Sequence, residues 1–421
     1  MQPEAATASS YRTVQIRPRS AERIGLAKIT RAYEAGYDLR PLWRRLISRL
    51  VDGTIEPGEG IDLSLIAQLL GDKEAGLAIQ HAILSSHQLF RSPCEMKPPR
   101  LRVLALAAAT DMGSNTPIEF LLDKSGIELT TLYVMSDIDW PNWLPDHDIA
   151  VVIASDSDDC RAALDKIEKA MVHWPRPLLN PPQRIAHLDR DKLHVLLTGI
   201  EGLQIPRTIC VTREHLATLA QSAISLAAIS PEFVFPMIVR PRGSHAGKGL
   251  AKLDDASAVA RYLGEYAAES FFISRFVDYR SNDGLFRKYR IVIIDGQPFA
   301  CHLAIADRWD IWYMNADMAA SVDKRNEEAV FMQTFDAGFA ERHRAALSGL
   351  ATRIGLDYFT VDCAEARDGS LLIFEADNTA IVHDMDRADI FPYKPVQMRK
   401  VFDAFAAMLC RRAGRAQEAA A

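Results

Sequence analysis

Hydrophobic positions follow a helical spacing in the first part of the chain. Over residues 20–90, apolar residues recur at steps of about four, as they do on one face of an amphipathic helix. Glycine and proline at residues 57–60 indicate a break, and Asp62 before the next apolar run is typical of an N-cap. The pattern predicts a helical N-terminal region over residues 1–95, with a mobile arm at its start.

After the Pro98-Pro99 pair, short apolar runs separated by turns replace the helical spacing. Such runs are typical of buried strands, and strands that alternate with helices favour a small parallel sheet. The predicted strands are 101–106, 129–135 and 149–154, and a helix is predicted at 118–122. The acidic stretch Asp156–Asp159 lacks the glycine and glutamate of a calcium-binding loop, so we interpret it as a solvated helix start.

From about residue 189 onward, strand and helix patterns mix. Consecutive strands, then a helix, then further strands are typical of an α+β domain with antiparallel sheets. The predicted strands are 235–239, 270–277, 289–294, 299–305, 358–363 and 371–375. The predicted helices are 256–266 and 339–354, the second ending at Gly355 as its C-cap.

The composition of the 421 residues is that of a globular protein. Hydrophobic residues make up 48% and charged residues 25%, which excludes disordered and collagen-like chains. The net charge of −6 argues against a protein that coats nucleic acid or an anionic membrane. The six cysteines are far apart and have no zinc-site spacing, and no apolar stretch approaches the length of a membrane span. We therefore expect a reduced, cytoplasmic protein.

The first chemical signal is a basic, glycine-rich loop that follows the strand at 235–239. Glycines allow backbone N–H groups to approach phosphate oxygens, and basic side chains add positive charge. The residues concerned are Arg240, Arg242, Gly243, Gly247, Lys248 and Gly249. Their order is neither that of a Walker A loop nor that of a Rossmann fingerprint, and taken alone the loop is equally compatible with a surface turn.

The second signal is a group of acidic residues near the C-terminus. Asp362 ends one predicted strand, and Glu375 and Asp377 end the next. Pairing of these strands would bring Asp362 beside Glu375, and alternation puts Glu375 and Asp377 on one face. Carboxylate and amide oxygens are the ligands of magnesium bound to nucleotide phosphates, although a salt-bridged strand end is the alternative.

The third signal is Arg290, which lies between the glycine-rich loop and the acidic group. An arginine at this position could clamp a phosphoryl group or a substrate carboxylate with two hydrogen bonds. A solvated arginine at a strand end is the alternative.

Together and in this order, the three signals resemble the ATP-grasp superfamily, the fold of glutathione synthetase, D-alanine–D-alanine ligase and the ribosomal-protein glutamate ligases. The resemblance covers about 101–408. It also includes Leu179-Asn-Pro181 followed by Asp191-Lys192, the run Ile205-Pro-Arg-Thr208, and the strand Phe272–Val277, where Ser274 and Arg275 replace the usual glutamine and glutamate.

The resemblance implies a mixed α+β and α/β fold class. Two α+β subdomains of an ATP-grasp domain, at about 185–270 and 271–410, would grip ATP. A small parallel-sheet domain at 96–184 and the helical region 1–95 precede them, and 411–421 would form a flexible tail.

The resemblance also implies the cofactors ATP and Mg²⁺ and a set of site residues. Arg290 and Arg240 would be catalytic. The residues implied to contact ATP are Lys192, Arg240, Gly243, Ser244, His245, Gly247, Lys248, Gly249, Ser274, Arg275, Phe276 and Val277. The implied metal ligands are Asp362, Glu375 and either Asp377 or Asn378.

The implied activity is an ATP-dependent carboxylate–amine ligase that forms an acyl phosphate on an amino-acid, peptide or small-molecule substrate. A kinase that phosphorylates a non-carboxylate group, or a nucleotide-binding regulatory module, are the alternatives. Candidate substrate residues are His302, Arg308, Trp309, Trp312 and Tyr313, although large aromatics are more often core residues. No nucleic-acid or membrane partner is expected, a homodimer is left open, and the helical region is a candidate docking module.

Overall fold

The computed structural model describes residues 20–141, 143–244 and 247–414. The predicted N-terminal arm, apart from residue 20, lies outside these ranges, as do residues 415–421 of the predicted tail and His245 of the glycine-rich loop. Within them, the chain forms three β-sheets that are covered by helices.

The strands and helices follow one another along the described chain. The strands are β1 (Ala21–Glu22), β2 (Leu89–Arg91), β3 (Leu101–Ala108), β4 (Ile127–Val134), β5 (Ile149–Val152), β6 (Leu178–Leu179), β7 (Leu203–Gln204), β8 (Thr208–Thr212), β9 (Met237–Pro241), β10 (Ala251–Leu253), β11 (Ser270–Arg275), β12 (Phe286–Ile294), β13 (Gln297–Ala306), β14 (Tyr358–Glu365) and β15 (Leu371–Asp377). The helices are α1 (Leu26–Glu34), α2 (Arg40–Val51), α3 (Pro57–Leu69), α4 (Lys73–Leu84), α5 (Ile118–Leu121), α6 (Arg161–Met171), α7 (Pro182–Ile185), α8 (Arg190–Leu197), α9 (Arg213–Ala220), α10 (Leu226–Ile229), α11 (Ala256–Glu265), α12 (Val322–Gln333), α13 (Arg344–Ile354) and α14 (Lys394–Arg412).

The first sheet has six strands in the order β1-β2-β4-β3-β5-β6. Strands β4, β3, β5 and β6 are parallel, as the sequence predicts, and β2 runs antiparallel to β4. Strands β1 and β2 come from the predicted helical region, which therefore shares a sheet with the residues that follow it. The mixed α/β and α+β class that the sequence predicts is confirmed.

The other two sheets are built from the second half of the chain. The antiparallel sheet β10-β9-β11-β8 has a hydrophobic core of its own, in which Val239 and Phe271 are fully buried. The sheet β13-β12-β14-β15-β7 shares one continuous core with the six-stranded sheet. The chain passes from the four-stranded sheet to the five-stranded sheet between the end of β11 and the start of β12.

The predicted helix break at residues 57–60 is wrong. Helix α3 begins at Pro57, and the side chains of Glu56 and Glu59 form a capping box there. A Cβ on Gly58 would lie 1.8 Å from the carbonyl oxygen of Glu22, so glycine allows α3 to pack directly against the backbone of β1. Gly58 thus marks a place where the helix backbone lies close to another strand. A single sequence does not distinguish such a glycine from one that ends a helix.

Asp62 does not cap its own helix either. It lies inside α3 and is only 1% exposed, and its carboxylate accepts hydrogen bonds from the backbone N–H groups of Ile24 (2.6 Å) and Gly25 (3.2 Å). Asp62 therefore fixes the chain that enters α1. Burial raises its pKa to about 6, although these hydrogen bonds and Arg23 oppose the rise.

Asn180 joins the six-stranded sheet to β14. It is 1% exposed and follows β6, and its side-chain amide donates to the carbonyl oxygen of Tyr358 at 2.8 Å. Its side-chain oxygen accepts from the N–H groups of Asp357 (2.9 Å) and Tyr358 (3.0 Å). This contact fixes the start of the strand that carries Asp362.

Within the described ranges, no helix combines the length and the apolar character that crossing a membrane requires.

We predict that Asp62 makes the protein less stable at pH 7 than at pH 4. A carboxyl group whose pKa is raised from 3.8 to about 6 on folding contributes stability below pH 3.8, and this contribution is lost as the pH rises through 6. The free energy of unfolding from urea titrations should fall by about 2 kcal/mol more between these pH values in the wild type than in Asp62→Asn. Equal pH dependence of the two proteins would contradict this assignment.

Candidate active site

A row of polar residues crosses four neighbouring strands of the five-stranded sheet. Glu375 of β15 is paired with Asp362 of β14, Asp362 with Arg290 of β12, and Arg290 with His302 of β13. Directly paired residues project from the same face of a sheet. The row therefore places the acidic group and Arg290 side by side, in the pairing that the sequence predicts for Asp362 and Glu375.

Asp362 is the buried centre of this row. Only 2% of its side chain is exposed, and Arg290 donates to it twice, at 2.7 and 3.0 Å. The ammonium group of Lys288 lies 2.7 Å from the same carboxylate. Burial alone would raise the pKa of Asp362, but the two cations outweigh it and hold the pKa well below its ordinary value.

Glu375 is paired with Arg190, which lies in the first turn of α8. Burial favours the neutral acid, but the charges of Arg190, Lys288 and Arg240 together outweigh it and lower the pKa of Glu375 to about 2. Both carboxylates at the centre of the row are thus ionised at neutral pH. The three cations that act on Glu375 come from different elements: Arg190 from α8, Arg240 from β9 and Lys288 from β12.

The residues after Glu375 face in different directions. Asp377 lies two positions further along β15, hence on the same face as Glu375, and it accepts hydrogen bonds from the N–H (2.6 Å) and hydroxyl (2.8 Å) of Thr379. Asn378 is buried, and its amide donates to the carbonyl oxygen of Ala154 in the six-stranded sheet at 2.9 Å. Its side-chain oxygen has no hydrogen-bond partner among the described residues. Asp377, and not Asn378, therefore extends the acidic face.

The oxygen donors fit a magnesium ion that binds together with a nucleotide. Among the described residues, no three His, Cys, Asp or Glu side chains are grouped closely enough to hold a metal ion. Mg²⁺ in nucleotide sites takes one or two carboxylates from the protein and further oxygens from phosphates. Asp362 and Glu375, opposite each other on adjacent strands, supply such a pair.

Arg240 lies at the end of β9 and holds the glycine-rich loop. Its guanidinium donates to the hydroxyl of Ser244 at 3.2 Å and to the carbonyl oxygen of the same residue. Burial, and then the charge of Arg190, lower the pKa of Arg240 to about 10. Gly249 closes the loop with φ 70°, where a Cβ would lie 2.6 Å from Pro241, so only glycine fits without displacement.

The exposed part of the loop contains Gly243, Gly247 and Lys248. Arg242 at its start forms an ion pair of 3.1 Å with Asp158 of the preceding domain. The described start of the loop is thus held by Arg240 and Arg242.

The segment Ser274–Val277 connects the two sheets on either side of the site. The N–H of Phe276 donates to the carbonyl oxygen of Pro236 at 3.0 Å. The ring of Phe276 contacts Trp309, with centroids 5.7 Å apart, and the ammonium of Lys252 lies 4.6 Å above it. Trp309 therefore packs against the predicted adenine segment.

The structure does not bring Lys192 to the row. Lys192 is exposed and lies two residues after Arg190, which is roughly 200° around helix α8. Arg190, which the sequence analysis did not select, is the residue of this segment that pairs with Glu375. The adjacent pair Asp189-Arg190 was the signal that could have identified it. Lys288 was also missed, although its position two residues before Arg290 on a strand puts both side chains on one face.

The candidate substrate residues are divided by the fold. The rings of His302 and Tyr313 lie 4.7 Å apart at the far end of the row. Arg308 is exposed and bonded to Asp310 at 2.7 Å, and Trp312 projects largely into solvent. Of these residues, His302 is paired with Arg290, and Tyr313 packs against His302.

Asp156 is more than a solvated helix start. It is partly buried after β5, and burial together with the nearby Asp377 and Asp189 raises its pKa to about 7. Asp158, in contrast, is exposed as the sequence predicts. The distinction depends on the contact between the end of β15 and the six-stranded sheet, which sequence patterns do not reveal.

Solved structures similar to this chain are ATP-grasp proteins, as the sequence resemblance predicts. They include a RimK domain ATP-grasp protein from Sphaerobacter thermophilus (15% identity, 73% of this chain and 99% of that one, TM-score 0.42). They also include D-alanine–D-alanine ligase from Bacillus anthracis complexed with ATP (13%, 75% and 99%, 0.46) and the ATP-grasp ligase PsnB complexed with a precursor peptide and AMPPNP (13%, 75% and 99%, 0.42).

No protein-family model matches the chain, and no curated protein matches its sequence. The similarity to solved structures lies below 25% identity and below a TM-score of 0.5, so the site must be judged on this chain's own residues.

We predict that Arg190 and not Lys192 binds the nucleotide. Arg190→Met should weaken binding of Mg²⁺ with AMPPNP at least about tenfold, because a charge-assisted contact to phosphate is lost. Lys192→Met, the matched control two residues away, should change the affinity less than about twofold. Calorimetric titration of both variants would contradict the assignment if Lys192→Met had the larger effect.

Proposed function

We propose that the protein is an ATP-dependent carboxylate–amine ligase that releases ADP and phosphate. The observation that carries this proposal is the row Glu375–Asp362–Arg290–His302, in which two carboxylates lie beside an arginine on one face of the sheet. The similarity of the fold to amide-forming ATP-grasp ligases supports the same class of reaction.

Four basic side chains around the row favour a polyphosphate ligand. Arg190, Arg240, Lys288 and Arg290 act electrostatically on the carboxylates of the row. Asp362 and Glu375 neutralise two of these four cations, and burial together with Glu375 raises the pKa of Asp377 and opposes its ionisation. Partly buried cations without counter-charges are costly, and phosphate oxygens would supply those charges.

In this proposal Arg190, Arg240 and the N–H groups of the glycine-rich loop hold the phosphates, and Ser274–Val277 contacts the adenine. Asp362 and Glu375 would hold Mg²⁺, with Asp377 as the third oxygen donor on the same face. When bound, the ion would neutralise charge on the phosphates. Closure of the loop at residues 243–249 would exclude water from a hydrolysable intermediate.

The reaction would proceed in two displacement steps. A carboxylate oxygen of the first substrate attacks the γ-phosphorus of ATP, the bond to the bridging oxygen breaks, and ADP leaves. The amine of the second substrate then attacks the acyl carbon, the bond to phosphate breaks, and the amine loses a proton to solvent or buffer. Arg290 would stabilise the charge on the transferring group, since it adjoins the carboxylates and already donates in a forked geometry.

The regulatory alternative is less consistent with the site. A vestigial site has no reason to retain two ionised carboxylates, the arginine beside them and the other cations around them. The substrate is proposed to be an amino acid, peptide or other small carboxylic acid. We also propose the cytoplasm as the compartment, because all six cysteines are free.

We predict that Glu375→Gln lowers the rate of ADP formation at least about 100-fold, because it removes a carboxylate from the proposed magnesium pair while preserving shape. ADP release would be measured over a panel of amino acids and peptides, with mass spectrometry of the product. Chelation of Mg²⁺ should stop wild-type turnover, and added Mg²⁺ should restore it.

Glu232→Gln is the control, since Glu232 is half exposed and pairs with Arg207 at the surface. It should retain the wild-type rate. An amide product supports the ligase, whereas a phosphorylated alcohol, or turnover by Glu375→Gln at the wild-type rate, would overturn it.

A further inference from the structure

The row across the sheet ends at His302. His302 lies on β13, the edge strand, beside Arg290. Its ring packs against Tyr313, whose hydroxyl lies 2.5 Å from the ammonium of Lys394. Lys394 is buried and also contacts Glu328 (3.4 Å). A buried network of polar side chains therefore holds His302 and Tyr313 in place.

A segment without helix or strand, residues 380–387, lies next to this network. It follows directly after Asp377 and Asn378. Asp386 contacts the ammonium of Lys394 at 3.1 Å, so this segment meets the network under His302. His383 is partly buried in the same segment, and Arg290 and Lys394 are among the charges that act on it. The segment at residues 380–387 therefore lies at the His302 end of the row, near Arg290.

The contact that holds the middle of this segment comes from the N-terminal helical region. Arg31 of α1 donates to Asp384 at 2.7 Å and lies 3.4 Å from Asp123. Its guanidinium also lies 5.1 Å above the ring of Phe120, and Phe120 in turn contacts His383 with ring centroids 6.3 Å apart. Arg31 thus touches the segment on one side and braces the residue that packs against His383 on the other.

We propose that the N-terminal helical region contributes to the substrate site. In this proposal Arg31 is a positioning residue that fixes the segment at residues 380–387, which carries His383 and Asp386. This inference rests on the proposed ligase function. It gives a role to a region that lies outside the resemblance to ATP-grasp proteins.

The contacts of Arg31 favour positioning over general stabilisation. Its side chain is 31% exposed and that of Asp384 is 28% exposed, and ion pairs of this exposure contribute little to folding stability. Residues 380–387 have no backbone ladder of their own, so a few side-chain contacts determine where His383 and Asp386 lie. A small displacement of residues that position a substrate would therefore affect substrate binding more than folding stability.

The experiment compares Arg31→Ala with the wild type by two measurements. Amide hydrogen exchange should become faster over residues 380–387 in the variant and remain unchanged over β12 and β14. With the acid and amine that give ADP in the wild type, the KM of one of them should rise roughly tenfold, while kcat changes less than about twofold. The affinity for Mg²⁺ with AMPPNP should stay at the wild-type value.

Two further variants sharpen the test. Arg49→Ala removes an ion pair of similar exposure to Glu59 in the same helical region and should leave KM and exchange unchanged. The double variant Arg31→Glu with Asp384→Arg restores an ion pair with reversed charges and should recover KM to within about threefold of the wild type.

The outcomes separate the two proposals. A wild-type protein that releases no ADP with any acid and amine overturns the ligase. A wild-type enzyme that turns over, together with Arg31→Ala that keeps the wild-type KM, overturns the role of Arg31. Unchanged exchange over residues 380–387 in Arg31→Ala would overturn it as well, independently of any substrate.

Discussion

The site depends on one buried ion cluster, in which Asp362 accepts hydrogen bonds from Arg290 and lies against Lys288. Asp362 is almost fully buried and ionised, and one carboxylate cannot neutralise two cations. Removing Asp362 would leave these two cations without their counter-charge, a change that typically costs several kcal/mol, about 3–5. In the proposed function, the positive charge of this cluster attracts phosphate, and the neighbouring Glu375 and Arg190 extend the cluster to α8.

The three sheets meet around this cluster through a small number of polar contacts. Asn180 fixes the start of β14, and Asn378 together with Thr116 fixes the end of β15, where the hydroxyl of Thr116 donates to the carbonyl oxygen of Asn378 at 2.7 Å. Arg242 bridges the glycine-rich loop to Asp158. Because each contact is made between different parts of the chain, the site is assembled only in the complete fold. The contact of Arg31 with Asp384 extends the same principle to the N-terminal region.

Sequence patterns predicted those parts of the fold that depend on interactions between residues close together in the chain. The apolar runs gave β3, β4, β14 and β15 within two residues, and Gly355 ends α13 in the left-handed conformation as expected. Pairing of β14 with β15 could be predicted because a short turn joins them. The glycines of α3 and the role of Asp62 could not, since they depend on the backbone of β1 and on the entry to α1, more than 30 residues away.

The site was predictable where chemistry and strand alternation agree, as for Asp362, Glu375 and Arg290. It was not predictable where the orientation of a helix decides, since Arg190 and Lys192 are equivalent in composition and differ only in the face of α8 on which they lie. The most direct test of the central cluster is calorimetric titration of the wild-type protein with AMPPNP in the presence of Mg²⁺. The account predicts one nucleotide bound per chain, with an affinity that falls as salt is raised, because the contacts are ionic. Absence of binding, or binding that is indifferent to salt, would contradict it.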